Sequence, residues 1–430
     1  MGSLKGKFVG KKQEQGFALI YTLWTLIFLS ALGVVVFRSS QLEMRISHFE
    51  REKIKLKWVA KGGVEKAIAI LLNDETNYDS LLDTWSDNDE SLKDFEVGDS
   101  LLNVDIYDES GKLNINTASE KELLSLPNMT DDIVASILDW RDSNEEARAS
   151  GVEGAYYNNL EPSYPIRNGP FRSLRELLLV KGITNELFFG EDGNLNHQLD
   201  ANENDGEFFY PNDNKDDLLD QGLAAWLTCY SYQKNVDAYG KEKLVLKNTS
   251  ENELSKKLKI PSKYSKWIYD KHKNAKSLGD LISTRSPEKP EQAGNGKSEA
   301  IDLETYKKIF NSITISNESK LYGRVNINTA NREVLVAICE GDETLANNLY
   351  DFRVSNVLPI LNLTEMIDFQ AIGIEGFKKV VDKLCVSSHV FQTQSLAVSQ
   401  TSNANYQVEA YLHREHNDVH IIYLHQGSVR

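Results

Sequence analysis

Twelve residues, Asp192-Gly-Asn194-Leu-Asn196-His-Gln198-Leu-Asp200-Ala-Asn-Glu203, place oxygen ligands at positions 1, 3, 5, 9 and 12 and an apolar residue at position 8. That is the spacing of an EF-hand type calcium loop. In that geometry Asp192, Asn194 and Asn196 coordinate through their side chains, Gln198 through its carbonyl, Asp200 directly or through water, and Glu203 with both oxygens. An all-oxygen set without cysteine suits a hard cation. His197 stands where such a loop wants glycine, which predicts a weakened or altered turn. A second acidic stretch follows, offering Asp205, Glu207, Asp213, Asp216 and Asp220 at loop-like spacing but no acid at a twelfth position. The expectation is one Ca2+ site, with a second left open; the alternative for each stretch is a solvated acidic loop. Binding would order a segment with too few apolar residues to order itself.

Nothing else in the chain has the spacing of a reactive centre. There is no Gly-x-Ser-x-Gly, no HExxH, no P-loop and no glycine-rich dinucleotide turn. The histidines are scattered, and His413, His416, His420 and His425 fall in terminal strand patterns, where they read as sheet residues. No catalytic set emerges from the residues of this chain. Its 64 acidic and 48 basic residues give a net charge of −16, a surface that repels nucleic acid and attracts cations. Cys229, Cys339 and Cys385 define neither a disulfide framework nor a zinc site, although one bridge is open to them in an oxidising compartment.

The elements that must carry these residues begin with an uncharged run, Phe17 to Phe37, long enough for a helix of ~30 Å to span a bilayer core. Lys5, Lys7, Lys11 and Lys12 precede it, as the positive-inside rule asks of a cytoplasmic N-terminus. The helical pattern continues to about Asn73, with Leu42, Ile46, Phe49, Ile54, Ala60, Val64, Ala67, Ile68 and Leu71 as its apolar positions. A break at Gly62-Gly63 is the alternative. Alternation at Leu101–Tyr107 reads as a strand, and so do Val386–Val398, Tyr406–Arg414 and Val419–His425 near the other end. The early strand is expected to join the late ones in one antiparallel sheet on the long helix, with residues 112–383 inserted between them.

The insertion holds an internal repeat. Asn114-Ile-Asn-Thr-Ala118 recurs as Asn326-Ile-Asn-Thr-Ala330, and the offset of 212 then runs without a gap through Asp139-Trp140-Arg141 and Asp351-Phe352-Arg353. A decayed copy lies between them, from Asn248-Thr-Ser250 to Ser277-Leu-Gly-Asp-Leu-Ile282. The units span about 112–185, 243–285 and 321–383, with the metal loop at 190–221. Thr117 and Thr329 are expected to supply capping hydroxyls, with a capping-box glutamate in the first copy only. Ser286 to Gly296 reads as a flexible loop, and Trp140, Trp226 and Trp267 as core.

Two resemblances bear on function. Gly16-Phe17-Ala18-Leu19-Ile20 resembles a type IV prepilin junction, which implies a leader of residues 1–16, cleavage between Gly16 and Phe17 by a prepilin peptidase, and a membrane helix over 17–37. A plain signal anchor and a secretory signal peptide are the other readings of this end. Tyr21 replaces the glutamate that most pilins carry five residues after the cut. With Gly169-Pro-Phe-Arg-Ser-Leu-Arg-Glu-Leu-Leu-Leu-Val-Lys-Gly182 and Gly222-Leu-Ala-Ala-Trp-Leu-Thr-Cys-Tyr-Ser231, that loss resembles the general secretion pathway protein K family. The resemblance implies an α+β, pilin-like fold: the long helix and first strand over 38–111, helical units over 112–383 similar to SAM and helix-hairpin-helix modules, and terminal strands over 384–430. It further implies a non-enzymatic minor pseudopilin of the bacterial inner membrane, its soluble part in the periplasm, capping a type II secretion pseudopilus with I- and J-type minor pseudopilins and contacting the major pseudopilin. No nucleic acid is expected. The rival readings are a membrane-anchored DNA receptor, because the repeats also resemble its helix-hairpin-helix module, and a calcium-binding surface or adhesion protein.

Overall fold

A computed structural model describes residues 12–86, 92–237, 240–272, 274–282, 300–402, 404–415 and 418–427. The leader before Lys12, the loop 286–296 and His416 lie outside the described residues. Helix α1 (Lys12–Asn73) is uninterrupted over 62 residues, so the break considered at Gly62-Gly63 does not occur. The reason is packing: Leu56, Ala60, Val64, Ala67 and Leu71 recur every three or four residues and are fully buried on one face. Gly63 shares that face, where a Cβ would strike Ser395, Val104 and Leu102; glycine lets the helix lie close against the sheet. Leu42, Ile46, Phe49 and Ile54 are exposed, because the packed stripe begins only at Leu56. Farther toward the N-terminus the helix has a mean hydropathy of 2.2 over its most apolar window, none of it buried, and is long and apolar enough to cross a membrane.

The C-terminal part of α1 covers a five-stranded antiparallel sheet. Strands β1 (Phe95–Val97), β2 (Ser100–Asp108), β3 (Val390–Ser399), β4 (Asn405–Glu415) and β5 (Asp418–Gly427) lie in that order. Strand β2 pairs with β3, Ile106 opposite Thr393, so everything from Glu109 to His389 is inserted between two neighbouring strands. Period-two alternation sends Leu102, Val104 and Ile106 into the helix-facing core and leaves Tyr107 on the other face.

Three helical units share one continuous core in the insertion. They contain α2 (Glu120–Leu124) with α3 (Asp131–Arg141), α4 (Glu251–Leu258) with α5 (Ser262–Lys271), and α6 (Arg332–Ile338) with α7 (Glu343–Ser355). Each unit starts at a short parallel pairing: Leu113–Asn114 with Leu227–Thr228, Leu244–Val245 with Ile313–Thr314, and Val325–Asn326 with Leu384–Cys385. Each also has a short 3-10 helix at the matching place, Leu174–Leu179, Leu278–Leu281 and Leu363–Ile367.

The repeated Asn-Ile-Asn-Thr-Ala has a structural cause in both copies. Its second asparagine clamps an incoming segment by two backbone bonds: Asn116 holds Phe171 at 3.0 and 2.7 Å, and Asn328 holds Ile360 at 3.0 and 2.9 Å. The repeated arginine then donates back to the motif's carbonyls, Arg141 to Ile115 and Ala118, Arg353 to Ile327 and Ala330. The caps differ from the expected hydroxyls of Thr117 and Thr329. Ser119 caps α2 in a box with Glu122, and Asn331 caps α6 through its amide oxygen, because each cap position falls two residues after its threonine.

Thr329 instead joins a buried hub. The Asp108 carboxylate, at the end of β2, accepts from Thr329 Oγ1 at 2.6 Å, Asn326 Nδ2 at 2.8 Å, Ser388 Oγ at 2.7 Å and the Ser110 N–H at 2.7 Å. Arg414 of β4 bonds Asp74 and Asp79 beside it at 2.8 and 2.6 Å. The third unit is thereby fastened to the helix-and-sheet body.

Candidate metal centre

The loop read as a metal site leaves the insertion's core at a narrow neck, where Gly190 bridges Gln221 and the Glu191 N–H donates to the Asp220 carbonyl at 2.8 Å. Its first turn winds around buried carboxylates. Asp192 accepts from the Asn196 and His197 N–H groups, both at 2.9 Å, and Glu203 accepts from the Gly193 and Asp200 N–H groups, both at 3.1 Å. The Asn194 and Asn196 amides both reach one oxygen of Asp200, at 2.7 and 3.0 Å. Asp192, Asn194, Asn196, Asp200 and Glu203 are thus brought together, while Gln198 is exposed and donates its N–H to Asn196.

His197 makes the turn that glycine was expected to make. Its φ is +58°, in the left-handed region, and its ring repays that conformation by packing on Tyr107 of β2 at 4.4 Å and meeting Gln221 at 2.9 Å. Burial lowers its pKa to about 4, so the ring is neutral. Tyr107 also donates to the Asn196 carbonyl at 3.0 Å, and Gln394 of β3 donates to that of Leu195. The loop is therefore docked on the sheet.

Burial and crowding of like charges set the electrostatics of this turn. Burial raises Asp192 to about 6 and Glu203 to about 7, and the neighbouring Asp200 charge pushes both the same way. Such a set fits a hard divalent ion. The second turn is built around Asp213, which accepts from the N–H groups of Asp205, Gly206 and Lys215 at 2.9 Å each. Glu191, which the spacing did not single out, is 7% exposed and accepts from Asn214 and Asp220 at 2.9 and 3.0 Å. Its position just before Asp192 was the available signal. Asp216 accepts from Leu218 and Asp220 from Asn214, and Glu207, like these two, is exposed.

Among the described residues, the acids whose oxygens converge within 4.8 Å of one another are Asp74, Asp79 and Asp83, where Arg414 already supplies the positive charge. The cysteines are unpaired thiols, each pushed up to about 12 by burial, so the disulfide left open by the sequence is not formed. At the hairpin where a nucleic-acid module would present backbone N–H groups, Glu340 is held by Lys383 at 2.9 Å and faces Lys121 at 3.6 Å.

A long apolar N-terminal helix, laid by its second half on an antiparallel sheet interrupted by a helical insertion, defines an α+β architecture. Residues 102–189 match the family model of the first domain of type II secretion system protein K. The chain is 22% identical over 199 residues to type II secretion system protein K of Klebsiella pneumoniae, covering 41% of this chain and 60% of that relative. A crystal structure of the GspK-GspI-GspJ complex from enterotoxigenic Escherichia coli aligns over 89% of this chain and 99% of the solved one, with a TM-score of 0.47 and 11% identity. The chain is thus similar to type II secretion system protein K, through residues 102–189 and the 199 aligned residues, and spans about three fifths of that relative's length.

Proposed function

We propose that the chain is a non-enzymatic subunit of a type II secretion system, anchored once in the bacterial inner membrane by residues 17–37 and working in the periplasm at the tip of the pseudopilus. Its partners in that reading are the I- and J-type minor pseudopilins and, below them, the major pseudopilin. The observation that carries it is the placement of residues 109–389 between neighbouring strands β2 and β3. A filament grows by heterologous contacts, so each subunit must leave one face free for the next; a bulky insertion on that face ends growth. We read the paired helices as helix-hairpin-helix-like scaffolds, because their hairpins carry acid rather than a phosphate-binding turn.

The 190–221 loop is read as a Ca2+ site in which Asp192, Asn194, Asn196, Asp200 and Glu203 hold the first ion, Gln198 contributing its carbonyl. Asp205, Asp213 and Glu191 are the nucleus of a second. Calcium there would neutralise the buried acids and stiffen the loop against Tyr107 and Gln394.

The deciding experiment is intact mass and N-terminal sequencing of the chain from its own membrane, with prepilin peptidase present and absent. A mature start at Phe17 that needs the peptidase, together with co-purification of I- and J-type subunits, is the expected result. An uncut chain, or one cut after residue 37, sinks the tip reading.

A further inference from the structure

The turn end of the sheet holds an arrangement that the histidine spacing did not suggest. His413 of β4 and His420 of β5 are registered cross-strand partners. Their Nδ1 and Nε2 atoms face each other at 3.1 Å, with ring centres 4.7 Å apart and planes crossed at 81°. A straight N–H···N bond of that length would hold the ring centres farther apart. A single ion about 2.0–2.1 Å from both nitrogens, on both ring axes, would hold them roughly 4.8 Å apart.

The outer nitrogens are placed as a metal pair requires. His413 Nε2 meets the Tyr232 hydroxyl and lies 3.7 Å from Glu415 Oε1, while His420 Nδ1 lies 3.8 Å from Asp418 Oδ2. With their protons on those outer atoms, both rings turn lone pairs toward the shared point, and the carboxylates behind them raise the basicity of the ligands. Lys320, 4.3 Å over the Tyr232 ring, opposes a cation from the far side; Glu415 and Asp418 offset it. His413 is almost fully buried and fixed, whereas the His420 side chain is 48% exposed, so the shared point is open to solvent on one side.

We propose that His413 and His420 bind a divalent transition ion of the zinc, copper and nickel class, completed by water, which pins the edge strand β5 to β4 beside their turn. Imidazole pairs favour these ions, while the oxygen-rich 190–221 loop favours calcium, so the two sites are chemically separable.

The test uses Zn2+ as the probe on the full chain in detergent, with millimolar Ca2+ present to fill the oxygen-rich loop, read by calorimetry and by melting temperature. One Zn2+ per chain with micromolar Kd is expected. His420→Ala should weaken it at least tenfold and abolish the Zn2+-dependent rise in melting temperature, and Asp418→Asn should weaken it about tenfold. His425→Gln, an exposed histidine on the same strand, should bind as the parent does. His420 is surface-accessible, so its variant tests binding in a folded chain; an unshifted melting temperature without Zn2+ verifies this. Absence of binding in the parent, or an unchanged Kd in His420→Ala, overturns the proposal and leaves a hydrogen-bonded pair.

Discussion

The first and third copies of the repeat use the same residues locally and do different things globally. Both clamp a segment with the second asparagine and both satisfy their own carbonyls with the arginine. They also face each other reciprocally: Gly111, before the first copy, packs on Thr329 of the third, and Gly323, before the third, packs on Thr117 of the first. The difference lies in the first asparagine. Asn114 donates to the Ser231 carbonyl, inside the insertion, whereas Asn326 donates to the Asp79 carbonyl and to the Asp108 carboxylate of the helix-and-sheet body. One local code thus yields a joint in one copy and a platform, carrying the 190–221 loop, in the other. What a repeat does is set by what its spare donor finds.

The largest effect should come from the acceptor that makes the two copies unequal. Asp108→Ala strands the donors of Asn326, Thr329, Ser388 and Ser110 in a buried site. A loss of about 3–5 kcal/mol is expected, as for one partner removed from a buried charged network. Chemical denaturation of the full chain should then resolve two transitions, the insertion parting from the sheet. A single transition at unchanged midpoint would show that the joint does not couple them.

Calcium should separate the copies the other way. Chelation should release hydrogen-exchange protection at 190–221 and at Tyr107, and leave residues 325–331 as they were; at a hundredfold excess over Kd the ion contributes about 2.7 kcal/mol. Asp192 and Glu203 hold protons up to about 6 and 7, well above the ordinary carboxylate range near 4. Their contribution to the calcium-free fold is complete below that range and is lost as pH rises through about 7. Ca2+ competes with the same protons, so its affinity should fall as pH drops from 7.5 to 5.5. A pH-independent Kd would place the ion elsewhere. Next in size is the asparagine pair itself: Asn326→Ala should cost about 2 kcal/mol and Asn114→Ala about 1, since only the former loses a bond to a carboxylate. Equal losses by urea denaturation would erase the distinction between joint and platform.

Much of this was legible in the chain because it rests on short-range pattern. The apolar run, the alternation of Leu101–Tyr107 and the 212-residue offset are periodicities, and they located the helix, the strand and the matching units. The gathering of Asp192, Asn194, Asn196, Asp200 and Glu203 into one turn was legible for the same reason, since a loop motif is a local spacing. What escaped depended on distant partners. The exposure of Leu42 to Ile54 reflects where the sheet ends, the role of Thr329 needs Asp108, and the left-handed His197 is tolerated because Tyr107 and Gln221 hold its ring. Glu191 sat one residue before the recognised motif, and its importance appears only when Asn214 and Asp220 fold back onto it.

The smallest expected effect is a coupling energy, and it probes whether the reciprocal contact between copies is as symmetric as its sequence. Gly323 has a φ of +79°, and a Cβ there would meet the Thr117 hydroxyl and its Cβ carbon. At Gly111 the obstacle is different: an added Cβ would lie 2.8 Å from Thr329 Oγ1 and 3.2 Å from that residue's backbone carbon and oxygen. Side chains can be trimmed and backbone cannot. Gly323→Ala should therefore cost about 1 kcal/mol or somewhat more, and Thr117→Ala in the same chain should return the steric part while the left-handed strain of the backbone stays. Gly111→Ala should gain nothing from Thr329→Ala, which leaves the backbone in place and removes a bond to Asp108 besides. Two double-mutant cycles by thermal denaturation measure this. Coupling of the same sign and size in both would mean that the copies meet through side chains alone, and that the third copy's tie to Asp108 is independent of its contact with the first.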